Sequence, residues 1–206
     1  MQVARHITQN EASALHFTDF NITQSLKDRL TAAGFIKPTP VQAGAIPPAL
    51  EGDDILATAS TGTGKTLSFL VPMIDRLESI SKPSVKSKKS PILALILLPT
   101  RELAMQVLDN YYKVCTGGNK QDAVLVCGGL SENPQIEALQ RGPRLVVATP
   151  GRLEYYLKRK LINLRDVDML VLDEVDRMLD MGFLPAIRRI VAALPKDRQK
   201  IGRAHV

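Results

Sequence analysis

Five short segments of this chain are apolar almost from end to end: Asp54–Thr58, Ile92–Leu98, Ala123–Cys127, Leu145–Ala148 and Met169–Asp173. A strand with one wet face alternates apolar and polar residues. A run without alternation fits a strand covered on both faces, as in a parallel sheet. Helical patterns separate the runs, at Lys65–Leu77, Arg101–Cys115, Pro134–Gln140, Gly151–Arg159 and Leu184–Ala193. Two more, Thr23–Ala33 and Val41–Leu50, precede the first run. This alternation predicts an α/β fold: a doubly wound, mostly parallel sheet with helices on both faces. Such sheets hold ligands outside the carboxyl ends of their strands.

At 206 residues the chain is long enough for one domain with a substantial core. Its longest apolar run is strand-sized, so no membrane partner is expected. Met1–Asn10 has no apolar segment of the signal-peptide type. The two cysteines, Cys115 and Cys127, have neither metal-site spacing nor a disulfide pattern, and Cys127 reads as a small buried hydrophobe. A cytoplasmic protein, by default a monomer, is the expectation. The formal charge of +6 permits a polyanionic partner without requiring one. Tryptophan is absent and aromatics make up 4% of the chain, which argues against base stacking on an aromatic platform.

Two segments carry phosphate chemistry. Ala59-Ser60-Thr61-Gly62-Thr63-Gly64-Lys65-Thr66 follows one strand and opens a helix. It fits Gly-x-x-x-x-Gly-Lys-Ser/Thr except that Ala59 replaces the first glycine. Glycines there let successive N–H groups point at phosphate oxygens, and the helix start adds the positive end of its dipole. Lys65 is expected to reach the β- and γ-phosphates, and the Thr66 hydroxyl to ligate Mg²⁺. The second segment, Asp173-Glu174-Val175-Asp176, ends an apolar strand. There Asp173 can hold Mg²⁺ and Glu174 can orient and deprotonate an attacking water. Adjacent acids also occur at ordinary helix N-termini, but a phosphate loop in the same chain favours the catalytic reading.

Two further segments read more plainly. Asn119-Lys120-Gln121-Asp122 matches the guanine-reading pattern Asn-Lys-x-Asp, but it enters a strand and precedes Asp173, so it reads as a coincidence in a polar turn. Ser79–Ser90, with Lys82, Lys86, Lys88 and Lys89, reads as a solvated surface loop rather than a nucleic-acid contact.

With these elements in order, Phe17 to Gln199 resembles the N-terminal RecA-like domain of a DEAD-box RNA helicase. Gly34-Phe35-Ile36-Lys37-Pro38-Thr39-Pro40-Val41-Gln42 is similar to the family's Q motif, with Phe17 as its upstream aromatic. Ala59–Thr66 is similar to motif I, Pro99-Thr100-Arg101-Glu102-Leu103-Ala104 to motif Ia, and Gly128-Gly129 to the GG element. Thr149-Pro150-Gly151-Arg152 is similar to motif Ib and Asp173–Asp176 to motif II. The run through Met181-Gly182-Phe183 is similar to the bacterial RhlE-like branch. The resemblance implies ATP and Mg²⁺ as cofactors, with nucleotide contacts from Phe17, Phe35, Lys37, Thr39, Gln42, Ser60, Thr61, Gly62, Thr63, Gly64, Lys65 and Thr66. A glutamine amide offers a donor and an acceptor together, so Gln42 can read adenine's N6 and N7 edge, while Phe35 stacks on the base. It implies RNA backbone contacts from Pro99, Thr100, Arg101, Gly128, Gly129, Thr149, Pro150, Gly151 and Arg152, and interdomain coupling through Asp176. Thr149 is also expected to cap the helix starting at Pro150.

Two departures qualify the resemblance. Val175 stands where the family has alanine, and its extra methyls suit a buried position. The family's Ser-Ala-Thr motif and second RecA-like domain do not follow Gln199. The expected organisation is therefore an extension over 1–16, an ATP-binding domain over 17–200, and a tail over 201–206 outside the fold. Without an arginine finger, worth roughly a thousandfold or more in turnover, such a domain should bind nucleotide, hydrolyse it poorly and unwind nothing alone. Readings kept open beside an RNA-dependent ATPase are a helicase-like ATPase acting on DNA and a non-catalytic, ATP-regulated scaffold.

Overall fold

A computed structural model describes residues 2–3, 15–58, 64–80, 90–115 and 122–204. Ala59–Thr63, the Lys-rich 81–89, Asn119–Gln121 and 205–206 lie outside the described residues. Seven strands form one all-parallel sheet: β1 (Gln2–Val3), β2 (Ile55–Thr58), β3 (Ala94–Leu97), β4 (Ala123–Val126), β5 (Leu145–Ala148), β6 (Met169–Leu172) and β7 (Gln199–Ala204). Their order is β1-β2-β7-β6-β3-β5-β4. The helices are α1 (Gln24–Ala32), α2 (Pro40–Leu50), α3 (Thr66–Ser79), α4 (Arg101–Val114), α5 (Glu132–Gln140), α6 (Pro150–Lys158), α7 (Val175–Asp180) and α8 (Leu184–Ala192).

The chain runs from β2 through β3 to the edge strand β4, then returns through β5 and β6 to β7. Parallel crossovers are right-handed, so reversing the direction of travel moves the connecting helices to the other face. The core shows this. Ala94 and Ile96 of β3, Leu145 and Val147 of β5, and Met169 and Val171 of β6 pack with Leu26 and Leu30 of α1, Ile46 of α2, Leu70 and Ile74 of α3, and Val107 and Tyr111 of α4. The alternate residues Leu95, Leu97, Val146, Ala148 and Leu170 pack instead with Leu153 and Tyr156 of α6, Met178 of α7, and Ile187 and Ile190 of α8. Val175, expected at a buried position, packs against this second cluster but is only partly buried.

The five apolar runs are strands, each trimmed by up to three residues. The organisation at the two ends differs from expectation. Gln2–Val3 adds an edge strand beside β2, so the first sixteen residues are not wholly an extension. Gln199–Ala204 is an inner strand between β2 and β6, so Ile201–Ala204 belong to the sheet rather than to a tail outside it. Its polar residues are used: Gln199 Nε2 donates to the carbonyls of Ala49 and Asp53, both at 2.8 Å, and Lys200 pairs with Asp54 at 2.9 Å.

At the amino ends of β4 and β5 lies a buried ion pair. Arg144 Nη2 donates to Asp122 Oδ2 at 2.7 Å, Nε reaches both carboxylate oxygens, and Nη1 donates to the carbonyls of Leu77 and Ile80. Asp122 is thus a structural anchor at the edge opposite the strands' carboxyl ends, where a guanine reader would have to sit. Removing one partner leaves an uncompensated buried charge, at a cost of about 3–5 kcal/mol. Arg144→Met should therefore lower unfolding free energy in urea by that amount. The Arg144→Met/Asp122→Leu double variant should recover much of the loss.

Candidate functional site

The carboxyl ends of the strands carry two adjoining depressions. The first is a cavity of about 550 Å³ over β2, β7 and β6, lined by Phe17, Phe35, Lys37, Thr39, Gln42, Gly64, Lys65, Thr66, Asp173 and Glu174, with one wall from α4. Every sequence-predicted nucleotide residue among those described therefore meets at one place. Ser60, Thr61, Gly62 and Thr63 lie outside the described residues.

Lys65 holds the N-cap position of α3, so its backbone begins the helix while its side chain is buried. Asp173 and Glu174 are buried as well, at 3% and 6% exposure. Glu174 takes a left-handed backbone, φ 53°, as the N-cap of α7. A non-glycine residue there costs about 1–2 kcal/mol, and such conformations cluster at active sites. Arg177 Nη1 lies 3.3 Å from Glu174 Oε2. The Phe17 amide donates to the Ile36 carbonyl at 3.0 Å, which fastens the upstream aromatic to the Q-motif stretch.

Gln42 is buried and joins two parts of the cavity. Its Oε1 accepts from the Thr39 amide at 2.8 Å, and its Nε2 donates to the Gly64 carbonyl. The stretch expected to meet the base is thereby fastened to the phosphate loop. Gly64 has φ +70°, and a Cβ there would stand 2.9 Å from Gln42 Nε2.

The second depression, a groove of about 420 Å³, lies over β3, β5 and β4. Pro99, Arg101, Gly128, Thr149, Gly151 and Arg152 line it, so the segments expected to contact RNA converge, together with Tyr155 and Phe183. Thr100 caps α4, its Oγ1 accepting from the Leu103 amide at 3.3 Å. Thr149 occupies the N-cap position of α6 but makes no capping bond; this corrects the expectation. Pro150 at the first helical position supplies the fixed φ that a cap would otherwise help to set. Cys127 lies below the Gly128-Gly129 turn. Burial raises its thiol pKa against the opposing charges of Arg101 and Arg152, so it stays a neutral small hydrophobe.

Several residues of these sites, Tyr155 among them, were not legible in the sequence. Gln106 and Asn110 of α4 line the cavity, and Phe183 packs near Gly151. Gln135 is buried; its amide exchanges two 3.1 Å bonds with the backbone of Cys127 and donates to the carbonyls of Leu130 and Ser131. It braces the GG turn from below. A glutamine inside a polar helix gives no spacing signal for such a role.

The fold and the cavity define a RecA-like α/β domain whose strand ends gather a lysine, a threonine and two adjacent carboxylates, the layout of a nucleotide site. The family model described as DEAD/DEAH box helicase matches residues 39–203, and the chain belongs to that family. It is 45% identical over 188 residues to a Dictyostelium discoideum protein named as a probable ATP-dependent RNA helicase, ddx17. It is 42% identical over 185 residues to DEAD-box ATP-dependent RNA helicase 20 of Oryza sativa subsp. japonica. These matches cover 91% and 90% of this chain but 23% and 37% of the relatives, so the chain spans less than two fifths of their length. The crystal structure of a DEAD box protein from the hyperthermophile Methanococcus jannaschii superposes with a TM-score of 0.80 at 36% identity, covering 92% of this chain and 49% of that one.

A side chain at position 64 must adopt a left-handed backbone, costing about 1–2 kcal/mol, and must also displace the Gln42 amide. Gly64→Ala should lower unfolding free energy by at least that amount in urea titration. In the Gly64→Ala/Gln42→Ala double variant the clash is absent, so the two losses should be markedly less than additive.

Proposed function

We propose that this chain is the ATP-binding half of an RNA-dependent ATPase that locally separates or remodels short RNA duplexes. The observation that carries the proposal is the pairing of two depressions on one sheet edge: one with Lys65, Thr66, Asp173 and Glu174, the other with Arg101, Gly128, Gly151 and Arg152. The first suits a triphosphate and the second a phosphodiester backbone.

In this reading the triphosphate lies against Gly64, Lys65 and the start of α3, with Lys65 meeting the β- and γ-phosphates. Two buried carboxylates beside one lysine would repel a polyanion without a further cation. Among the described residues no cluster of three or more His, Cys, Asp or Glu could hold a metal by itself. That suits Mg²⁺, which binds through one or two protein groups plus substrate phosphates and water. Thr66 and Asp173 would hold it, and when bound it neutralises charge developing on the phosphates. Glu174 orients and deprotonates the attacking water; Asp176, partly exposed in the first turn of α7, serves coupling to a second RecA-like domain. Gln42 reads adenine. Its amide oxygen and nitrogen each use one bond internally, and each retains one more bonding position. Phe35 stacks on the base, with Phe17, Lys37 and Thr39 closing the pocket. Thr100, Gly129, Thr149 and Pro150 hold the groove's backbone in place for RNA phosphates. We place the protein in the cytoplasm as a monomer, a setting consistent with its two unpaired cysteines.

The test uses a protein in which this chain is joined to a second RecA-like domain. ATP turnover should rise on adding single-stranded RNA and less on adding DNA of the same sequence; equal rates with and without RNA refute the proposal. Glu174→Gln should keep ATP binding while turnover falls roughly a hundredfold or more. Separately, the chain alone should prefer ATP to GTP in a competition assay, and Gln42→Ala should erode that preference about tenfold, the worth of one to two hydrogen bonds.

A further inference from the structure

The groove reads phosphates by its arginines and glycines, yet an aromatic side chain stands among them. Tyr155, on the second turn of α6, is 39% exposed and lines the groove beside Gly151 and Arg152. The neighbouring Tyr156 is fully buried and packs into the core under the sheet. The two rings meet at a tilt, their centroids 5.8 Å apart, so Tyr155 is braced on its buried neighbour while more than a third of it stays open at the groove.

The ring is also partnered by an arginine. The Arg159 guanidinium lies over it, 5.4 Å from its centroid, and Arg159 Nη1 donates to the Tyr155 hydroxyl at 2.8 Å. Arg159 is in turn 3.5 Å from Glu132 Oε2 of α5, and the other oxygen of Glu132 lies 3.7 Å from Arg152. One carboxylate thus tethers both the groove's phosphate-binding arginine and the arginine that orients the ring. A cation over an aromatic face is attractive, so the arrangement favours one orientation of the ring before any ligand arrives. Fixed aromatic rings beside cationic side chains are what single-stranded nucleic acids stack on, and any base can use them.

We infer that Tyr155 is a stacking platform for one unpaired nucleobase of the strand whose phosphates meet Arg101 and Arg152. The inference rests on the reading of this groove as a single-strand RNA site. It adds a contact that is independent of charge and tolerant of sequence. It also departs from the expectation that a chain poor in aromatics does not stack a nucleic-acid strand on an aromatic platform: position matters here, and count does not.

Stacking and phosphate contacts separate in their salt dependence, because only the latter release counterions. The experiment titrates the 206-residue chain against a fluorescent single-stranded RNA and against the same backbone carrying abasic sites, at several salt concentrations. Tyr155→Ala should weaken binding to the base-bearing strand about five- to a hundredfold, with the salt slope unchanged. Tyr155→Phe should stay within about threefold of the parent, and the abasic strand should bind Tyr155→Ala and parent equally. Arg152→Ala should weaken both strands and reduce the slope by about 0.7. Parent-like binding of the base-bearing strand by Tyr155→Ala overturns the inference, while an Arg152→Ala defect in the same experiment leaves the groove's assignment standing. Equal losses on both strands also overturn it, because the ring would then act only by supporting α6. No RNA binding by the parent chain overturns the inference and the assignment of the groove together.

Discussion

The right-handedness of parallel crossovers is the constraint on which the rest of this molecule depends. The chain has to reverse direction at β4, and that reversal alone puts α1 to α4 on one face and α5 to α8 on the other. With all strands parallel, every loop that follows a strand emerges on the same edge. Gly64 and Lys65 after β2, the carboxylates after β6, and the glycine and arginine turns after β3, β4 and β5 are therefore neighbours, although more than a hundred residues separate the first from the last of the cavity's residues. No special contact is needed to gather them.

The two depressions also share rigid parts. Leu98, at the end of β3, and Leu103, Gln106 and Val107 of α4 line the nucleotide cavity, while Pro99 and Arg101, at the start of the same helix, line the groove. Glu174 lines the cavity and Phe183 the groove, with only the short helix α7 between them. A change in the cavity that shifted the start of α4 or the tilt of α7 would move groove residues directly. Gln42 adds a third rigid tie, between the Q-motif stretch and Gly64.

The unbroken apolar runs were legible because strands buried on both faces admit little else, and β2 to β6 follow them closely. β7 was not legible, for a physical reason. Gln199 and Lys200 look like surface residues, and only Ile201 reads as core. Yet Gln199 fills its amide with the carbonyls of Ala49 and Asp53, and Lys200 pairs with Asp54. A strand whose polar groups are satisfied one by one gives no periodic signal. The same holds for Gln135 and for Arg144, whose partners Asp122, Leu77 and Ile80 come together only in the folded chain. The motif residues were legible because they follow the family's fixed spacing rather than the periodicity of a core.

The left-handed backbone of Glu174 shows how these levels meet. β6 ends at Leu172, Asp173 still bonds to β3, and α7 begins at Val175, so Glu174 must turn the chain. Glycine would make that turn without strain, but it would leave no carboxylate at the strand end. The chain instead accepts a cost of about 1–2 kcal/mol at one residue. That cost is small against what surrounds it: Asp173 N donates to the Leu97 carbonyl at 3.0 Å, Met178 N donates to the Glu174 carbonyl at 3.0 Å, and Val175 and Met178 anchor α7 in the core. Because both flanks are fixed, the strain cannot relax by shifting either one. The side chain is thereby held buried against the cavity rather than swung into solvent.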